Sequence, residues 1–242
     1  MWVADLNASH DAALLPGFAT IDYDVSPDGQ KVVFAALDGA RKSHIHLAWL
    51  DHRAPPKQLS SVEADSPRFD PGDDGSIYCR VIEGALTFID RMSTNDGQRE
   101  RAVPTPVSSF LSISSDGKWL VGHLSTSGAG SNAPIAAFPA TGGRARPLCS
   151  ICDAILWAPR GRYFVLVFAS LGFQRGGTYV VRLDPGEVFP RLPDPGILSQ
   201  ADLMALGAAY VGEGFLSLGP DPSVYAFTRE TNQRNIYRVP LR

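Results

Sequence analysis

Asp24-Val25-Ser26-Pro27-Asp28-Gly29-Gln30-Lys31-Val32-Val33-Phe34 decides the fold of this chain, because versions of it recur along the sequence. It reads as strand, tight turn, strand. Pro27 sets φ for the first central position of a type I turn, Asp28 can bond back to its own backbone, and Gly29 accepts a positive φ. Cognate hairpin signals stand at Asp70-Pro71-Gly72-Asp73-Asp74-Gly75-Ser76-Ile77-Tyr78, at Ser114-Ser115-Asp116-Gly117-Lys118-Trp119-Leu120-Val121 and at Ala158-Pro159-Arg160-Gly161-Arg162-Tyr163-Phe164-Val165. A worn fifth is Gly219-Pro220-Asp221-Pro222-Ser223-Val224-Tyr225.

The turn glycines Gly29, Gly75, Gly117 and Gly161 are 46, 42 and 44 residues apart. A fixed period in that range marks a repeat architecture, and this length suits four short strands per unit. After each hairpin comes a third strand, at His44 to Leu50, Leu86 to Arg91, Ala133 to Phe138, Thr178 to Leu183 and Asn235 to Leu241. A short fourth segment follows in Lys57-Gln58-Leu59-Ser60, Arg101-Ala102-Val103 and Arg144-Ala145-Arg146-Pro147-Leu148. Such units are the blades of an all-β propeller built of four-stranded antiparallel sheets.

The Ser-Pro-Asp-Gly turn, the strand ending in Phe or Tyr, the Ile-Tyr-x-x-x-Leu strand and the short Arg/Gln-Leu strand resemble the repeats of TolB-like, WD-type β-propellers. The ending from Pro222 to Leu241 is similar to the last blade of propeller regions in bacterial multidomain proteins, some of which carry a kinase or winged-helix regulator upstream. The resemblance implies protein interaction or ligand sensing; no cofactor is expected from the sequence.

One domain of residues 1–242 is expected, with units at 20–61, 62–104, 105–150, 151–192 and 208–242 and with residues 1–16 completing a ring of five blades. Ring closure would remove exposed sheet edges, with Ala13 to Leu15 as an outer strand beside the last unit. Trp2 to Leu6 also reads as a third strand whose first two partners lie nowhere upstream. The alternative is therefore a piece of a larger propeller.

At 242 residues and 44% apolar content the chain is long enough for one sizeable core. A net charge of −3 lacks the basic footprint of a nucleic-acid binder. The N-terminus has neither the basic start nor the apolar run of a leader, and no stretch approaches the ~20 apolar residues of a membrane helix. The expectation is a chain without membrane insertion, cytoplasmic as written, or periplasmic if it belongs to a longer exported protein.

Ser199 and Asp202 read as a capping box opening a short helix over 199–206 that Gly207 ends. This insertion between blades lengthens the marker spacing to 61 residues, from Gly161 to Pro222. Leu203 and Leu206 are expected to pack on the propeller; a lid is the other reading.

Cys149-Ser150-Ile151-Cys152 is the most chemical-looking motif. It is compatible with a structural pair at an interblade crossover, with a disulfide in an oxidising compartment, or with half a metal site, although the only other cysteine, Cys79, sits in a strand. His44 and His46 share a strand face without a third ligand nearby, and Gly128-x-Gly130 lacks the strand–helix context of a phosphate cradle. No metal site is expected.

Arg41 and Lys42, Gln174 and Arg175, and Arg229, Asn232, Gln233 and Arg234 fall in equivalent second-to-third strand loops of three units. Equivalent loops project on one face of a propeller, so these residues form a candidate rim for a protein or peptide partner. Hydrolase signatures such as G-x-S-x-G, H-E-x-x-H and the P-loop are missing. A non-catalytic binding module is the leading expectation. A propeller glycoside hydrolase, whose carboxylates would come from separate inner strands (Asp22, Asp24, Asp65, Asp70, Asp153), is the alternative.

Overall fold

The computed structural model describes residues 2–4, 11–125, 133–168 and 176–227. They form antiparallel sheets arranged as the blades of a propeller. A small hairpin of β1 (Trp2–Ala4) and β2 (Asp11–Ala13) comes first. Blade 1 is β3 (Ala19–Val25), β4 (Lys31–Leu37), β5 (Ser43–Trp49) and β6 (Lys57–Gln58). Blade 2 is β7 (Ala64–Asp70), β8 (Asp73–Glu83), β9 (Leu86–Ser93) and β10 (Arg99–Val103). Blade 3 is β11 (Val107–Ile113), β12 (Trp119–Leu124), β13 (Ile135–Pro139) and β14 (Arg146–Cys149). Blade 4 is β15 (Ala154–Trp157), β16 (Tyr163–Phe168), β17 (Gly177–Arg182) and β18 (Ala209–Gly212). A two-stranded unit, β19 (Ser217–Leu218) and β20 (Tyr225–Ala226), follows.

Each four-stranded sheet runs in sequence order, and its first strand is the inner one: β3 lies beside β7, β7 beside β11 and β11 beside β15. The second strands are sandwiched between neighbouring blades. That explains why Val32, Val33, Phe34, Ala35 and Ala36 are all buried, an unbroken apolar run where a half-exposed strand would alternate. The core is a series of interblade layers. Val33, Ala35, Ile45 and Leu59 of blade 1 meet Ala64, Phe69, Ile77 and Cys79 of blade 2. Tyr78, Ile89 and Val103 meet Val107, Phe110, Leu120 and Phe138 of blade 3, and Val121, Ile135 and Leu148 meet Ile155, Phe164 and Leu166 of blade 4.

The repeated turns behave as their chemistry dictates. The amide of Gly29 donates to Ser26 O at 2.8 Å, and Ser26 Oγ donates to Asp28 Oδ1 and receives the amide of Lys31 at 2.9 Å. Blade 3 repeats the set with Ser114, Asp116, Gly117 and Trp119. Both glycines have positive φ, 68° and 72°, which a side chain would strain.

The helix α1 (Gln200–Ala205) is capped by Ser199 and Asp202 in a capping box. Its Leu203 is buried and Leu206 packs beside it, so the insertion is docked in the manner expected of packing. Two features depart from the sequence reading. Ala209–Gly212 pairs with β17 and completes blade 4, so that blade runs past residue 192 and the insertion lies between its third and fourth strands. Rings of Tyr179 and Tyr210 at 5.2 Å hold this pairing; a 26-residue excursion between partner strands, from 183 to 208, hid it in the sequence.

Before α1, the insertion reaches back to blade 3. Ile197, fully buried, donates its amide to Leu148 O at 2.9 Å and accepts from the amide of Ser150 at 2.9 Å, forming a parallel bridge on the outer edge strand β14. Gly196, at φ 115°, makes this approach possible: a Cβ there would stand 2.8 Å from Leu148 O. The edge is covered rather than left free to pair with another chain.

Among the described residues β1–β2 and β19–β20 are separate two-stranded sheets, while Leu14 and Leu15 pack on Val32, Phe34 and Ala36 of blade 1. The expected third strand Asn235 to Leu241 lies outside the described residues, as does the loop with Gly128 and Gly130. Among the described residues no helix is long and apolar enough to cross a membrane.

Candidate functional site: an axial pocket on the turn face

The ends of the first strands, just before the repeated turns, converge on one cavity of about 380 Å³. Its wall takes residues from five successive units: Tyr23 and Asp24, Arg68 to Pro71, Leu111 to Ile113, Leu156 to Pro159, and Phe215 to Leu218. Among the described residues four blades are four-stranded, rather than the five expected, and the two-stranded β19–β20 unit borders the cavity beside their inner strands. A second recess of about 570 Å³ shares Pro71, Ile113 and Trp157 to Pro159 with it and extends over Asp116, Arg160, Glu187 and Val188. Together they form a groove from the axis outward between blades 3 and 4.

Side-chain bonds lace the inner strands together around the pocket. Asp24 Oδ2 accepts the amide of Phe69 at 2.8 Å, joining blades 1 and 2. Arg68 Nη1 donates to Asp22 Oδ2 at 3.1 Å, and its Nε donates to Leu111 O at 3.3 Å, so one guanidinium spans three blades. Ser112 Oγ donates to Ile155 O at 2.6 Å, joining blades 3 and 4. Thr178 Oγ1 donates to Gly214 O at 2.7 Å and receives the amide of Leu216 at 3.2 Å, joining blade 4 to the fifth unit. The pocket is therefore a preorganised concavity of mixed polarity, the arrangement typical of a binding site. Burial raises the Asp24 carboxyl above the usual carboxylate range, against the lowering pull of the Phe69 amide and Arg68.

The inner-strand carboxylates are committed to this lacing. Asp22 pairs with Arg68, and Asp65 holds Arg80 through two bonds of 2.6 and 2.7 Å. Asp70 accepts the amide of Gly72 at 2.9 Å and faces Arg91 at 3.5 Å. Asp153 is exposed ahead of β15. Arginines thus engage Asp22, Asp65 and Asp70, while the Phe69 amide engages Asp24.

Of the candidate rim, Arg41 and Lys42 are exposed in the β4–β5 loop, held by bonds of 3.0 Å from Arg41 N to Asp38 O and 2.9 Å from Lys42 N to Asp38 Oδ1. They stand at the end of blade 1 opposite the axial pocket. Gln174, Arg175, Arg229, Asn232, Gln233 and Arg234 lie outside the described residues. His46 stacks on Phe34 at 5.2 Å and bonds to His44 O, while His44 Nε2 stands 3.4 Å from Asp38. Among the described residues no group of three ligating side chains gathers. Cys149 and Cys152 are joined as a disulfide at the crossover from blade 3 to blade 4.

The pocket lies at the end of the blades opposite the second-to-third strand loops that hold Arg41 and Lys42. The signal is in the two residues before each turn: Asp24-Val25, Arg68-Phe69, Ser112-Ile113 and Leu156-Trp157 each supply at least one residue to the pocket wall.

No family model and no curated protein matches the sequence. Solved structures do. The chain is similar to TolB from Acinetobacter baumannii at 20% identity and TM-score 0.60, over 75% of this chain and 45% of that one. It is similar to a putative TolB from Agrobacterium tumefaciens at 20% identity and TM-score 0.56, over 72% of this chain and 66% of that one. Oligogalacturonate lyase from Vibrio parahaemolyticus superposes at 12% identity and TM-score 0.53, over 78% and 58%. The chain thus spans under half the length of one TolB and 66% of the other. At these identities the likeness is one of architecture, and the chain has the fold of a TolB-like β-propeller.

Proposed function

We propose that the chain is a non-catalytic binding module that seats a segment of a protein or peptide partner in the groove on its turn face. The observation that carries this reading is the axial pocket itself, walled by five successive units and held open by side-chain bonds between them. Its floor is apolar at Leu111, Leu156 and Leu218, with Arg68 and Asp24 as fixed polar points. Such a mixture suits an extended segment that buries one or two side chains and bonds through its backbone. The similarity to TolB structures supports a propeller scaffold; the partner is this chain's own question. Arg41 and Lys42, exposed at the end of blade 1 away from the pocket, are proposed together with the sequence-derived candidates Gln174, Arg175, Arg229, Asn232, Gln233 and Arg234 as a second contact surface. Where the chain meets its partner, a periplasmic setting fits the Cys149–Cys152 disulfide.

The test is selection of peptides from a random display library on the immobilised protein. Selected peptides are expected to lose at least tenfold in affinity on Ile113→Arg or Leu218→Arg, which place a bulky cation in the groove. Loss instead on Arg41→Glu with Lys42→Glu moves the site to the rim. Failure to enrich any binder, together with cleavage of oligogalacturonate or another glycan, would replace this reading with the enzymatic one.

A further inference from the structure

The turn of blade 4 departs from its counterparts in blades 1 and 3. There Ser26 with Asp28, and Ser114 with Asp116, brace the turn through side-chain hydrogen bonds, and neither aspartate has a positive φ. Blade 4 sets Ala158 and Arg160 at those two positions, so the hydroxyl and the carboxylate are both missing. Arg160 also stands at φ 73° and ψ 4°, a left-handed conformation that glycine adopts freely and that is unfavourable for a residue with a Cβ. Strain of this kind points to a use for the side chain it positions.

The turn that carries Arg160 is held in place. The Gly161 amide donates to Ala158 O at 2.9 Å, and a Cβ on Gly161 would stand 2.4 Å from Ser115 Oγ, so this turn is pressed against the turn of blade 3. Trp157, which walls both the axial pocket and the outer recess, donates from Nε1 to Val188 O at 2.7 Å. Arg160 lines the outer recess from this fixed turn, exposed, and among the described residues no ion pair or side-chain hydrogen bond engages its guanidinium. Two acids share the recess. Asp116 is occupied by Ser114 Oγ at 2.6 Å and the Lys118 amide at 3.1 Å, while Glu187 is exposed.

We propose that Arg160 determines the specificity of the groove by pairing with an acidic side chain of the bound segment, next to the side chain that enters the axial pocket. The proposal rests on the reading of the groove as a peptide site and adds the chemistry of its partner. A guanidinium on a fixed turn takes a carboxylate through two parallel hydrogen bonds. A phosphate would bring a second negative charge toward Asp116 and Glu187, which one arginine does not offset; a single carboxylate is the anion that fits.

The test selects a random peptide library, displayed between fixed flanks so that the insert has no free terminus, on the full chain. Peptides that lose affinity on Leu218→Arg are expected to carry Asp or Glu at one recurrent position. Replacing that acid by its amide, or Arg160→Gln in the protein, should each weaken binding about fivefold, the upper range for an exposed ion pair, and the two changes together no further. Selection on Arg160→Glu should bring Lys or Arg to the same position. Arg160→Gly relieves the backbone, so it should unfold no earlier than the parent while still losing affinity for the acidic peptide. Peptides sensitive to Leu218→Arg that show no recurrent acid and bind Arg160→Gln equally well would overturn the carboxylate assignment and leave the groove reading standing. Peptides indifferent to both substitutions would overturn both. Earlier unfolding of Arg160→Gly would assign the arginine to the fold and equally overturn the proposal.

Discussion

Ile197→Ala probes whether the excursion from residue 183 to 208 is part of the folded body or a cover that can lift. Ile197 is fully buried in the layer with Leu148, Ile155 and Phe164, and its backbone bonds to Leu148 and Ser150 fix it to the edge of blade 3. Truncation removes three carbons, worth ~2.4 kcal/mol at ~0.8 kcal/mol for each buried methylene. The cavity left in a rigid layer adds to this, and about 3 to 4 kcal/mol is expected, within the range of ~2 to 5 found for such changes. In a domain of this size each kcal/mol lowers Tm by roughly 2 to 4 °C, so a drop of about 10 °C follows. Urea unfolding followed by tryptophan fluorescence reads it directly, because Trp119 and Trp157 both pack on Phe189 of the same excursion. Hydrogen exchange supplies the local version: the amides of Ile197 and Ser150 should exchange only with global unfolding. A loss below ~1 kcal/mol with fast exchange at both amides would refute the docked arrangement and restore the lid reading.

Acidification should destabilise the fold through two histidines. Burial lowers the basicity of His123, against the raising effect of its bond to the Cys152 carbonyl, and burial likewise lowers that of His46. A depressed folded pKa means the unfolded chain takes up protons first, so stability present above pH ~6.5 is lost as pH falls from there. Tm should drop between pH 7.5 and 5.5, and His123→Gln should shrink the drop while keeping an acceptor for Ser109, whose Oγ stands 2.6 Å from His123 Nδ1; an unchanged slope would remove His123 from the account. Gly122→Ala tests the closeness of the first two strands of blade 3, where a Cβ would stand 2.3 Å from Ser109 O. Since backbone must move to admit it, a loss of about 2 kcal/mol or more in chemical unfolding is expected, and a neutral variant would show that β11 and β12 can separate freely.

The hairpins, the third strands and the capped helix were legible because each rests on local chemistry: a Pro-Asp-Gly turn, an alternating or continuous apolar run, a Ser-x-x-Asp cap. What escaped was set by distance along the chain. Tyr210 pairs with Tyr179 across the excursion, and nothing within reach of either residue announces the other. Ile197 joins a strand of the preceding blade through backbone atoms, which carry no sequence signature. The axial pocket is a property of the ring: Asp22, Asp24 and Arg68 read locally as strand and turn residues, and only the apposition of β3, β7 and β11 turns them into a lacing around a cavity. Asp22, Asp24, Asp65 and Asp70 lie on inner strands and Asp153 just ahead of one, yet the arginines that engage Asp22, Asp65 and Asp70 come from other strands and cannot be matched to them by spacing.

The most direct test of the account is to map where a selected peptide touches the protein, using a photoreactive benzophenone in the peptide and mass spectrometry of the crosslinked chain. The account predicts labels on Leu156 to Pro159 and Phe215 to Leu218, at the mouth of the axial pocket. Labels confined to Arg41, Lys42 and the other loops of the opposite face would contradict it.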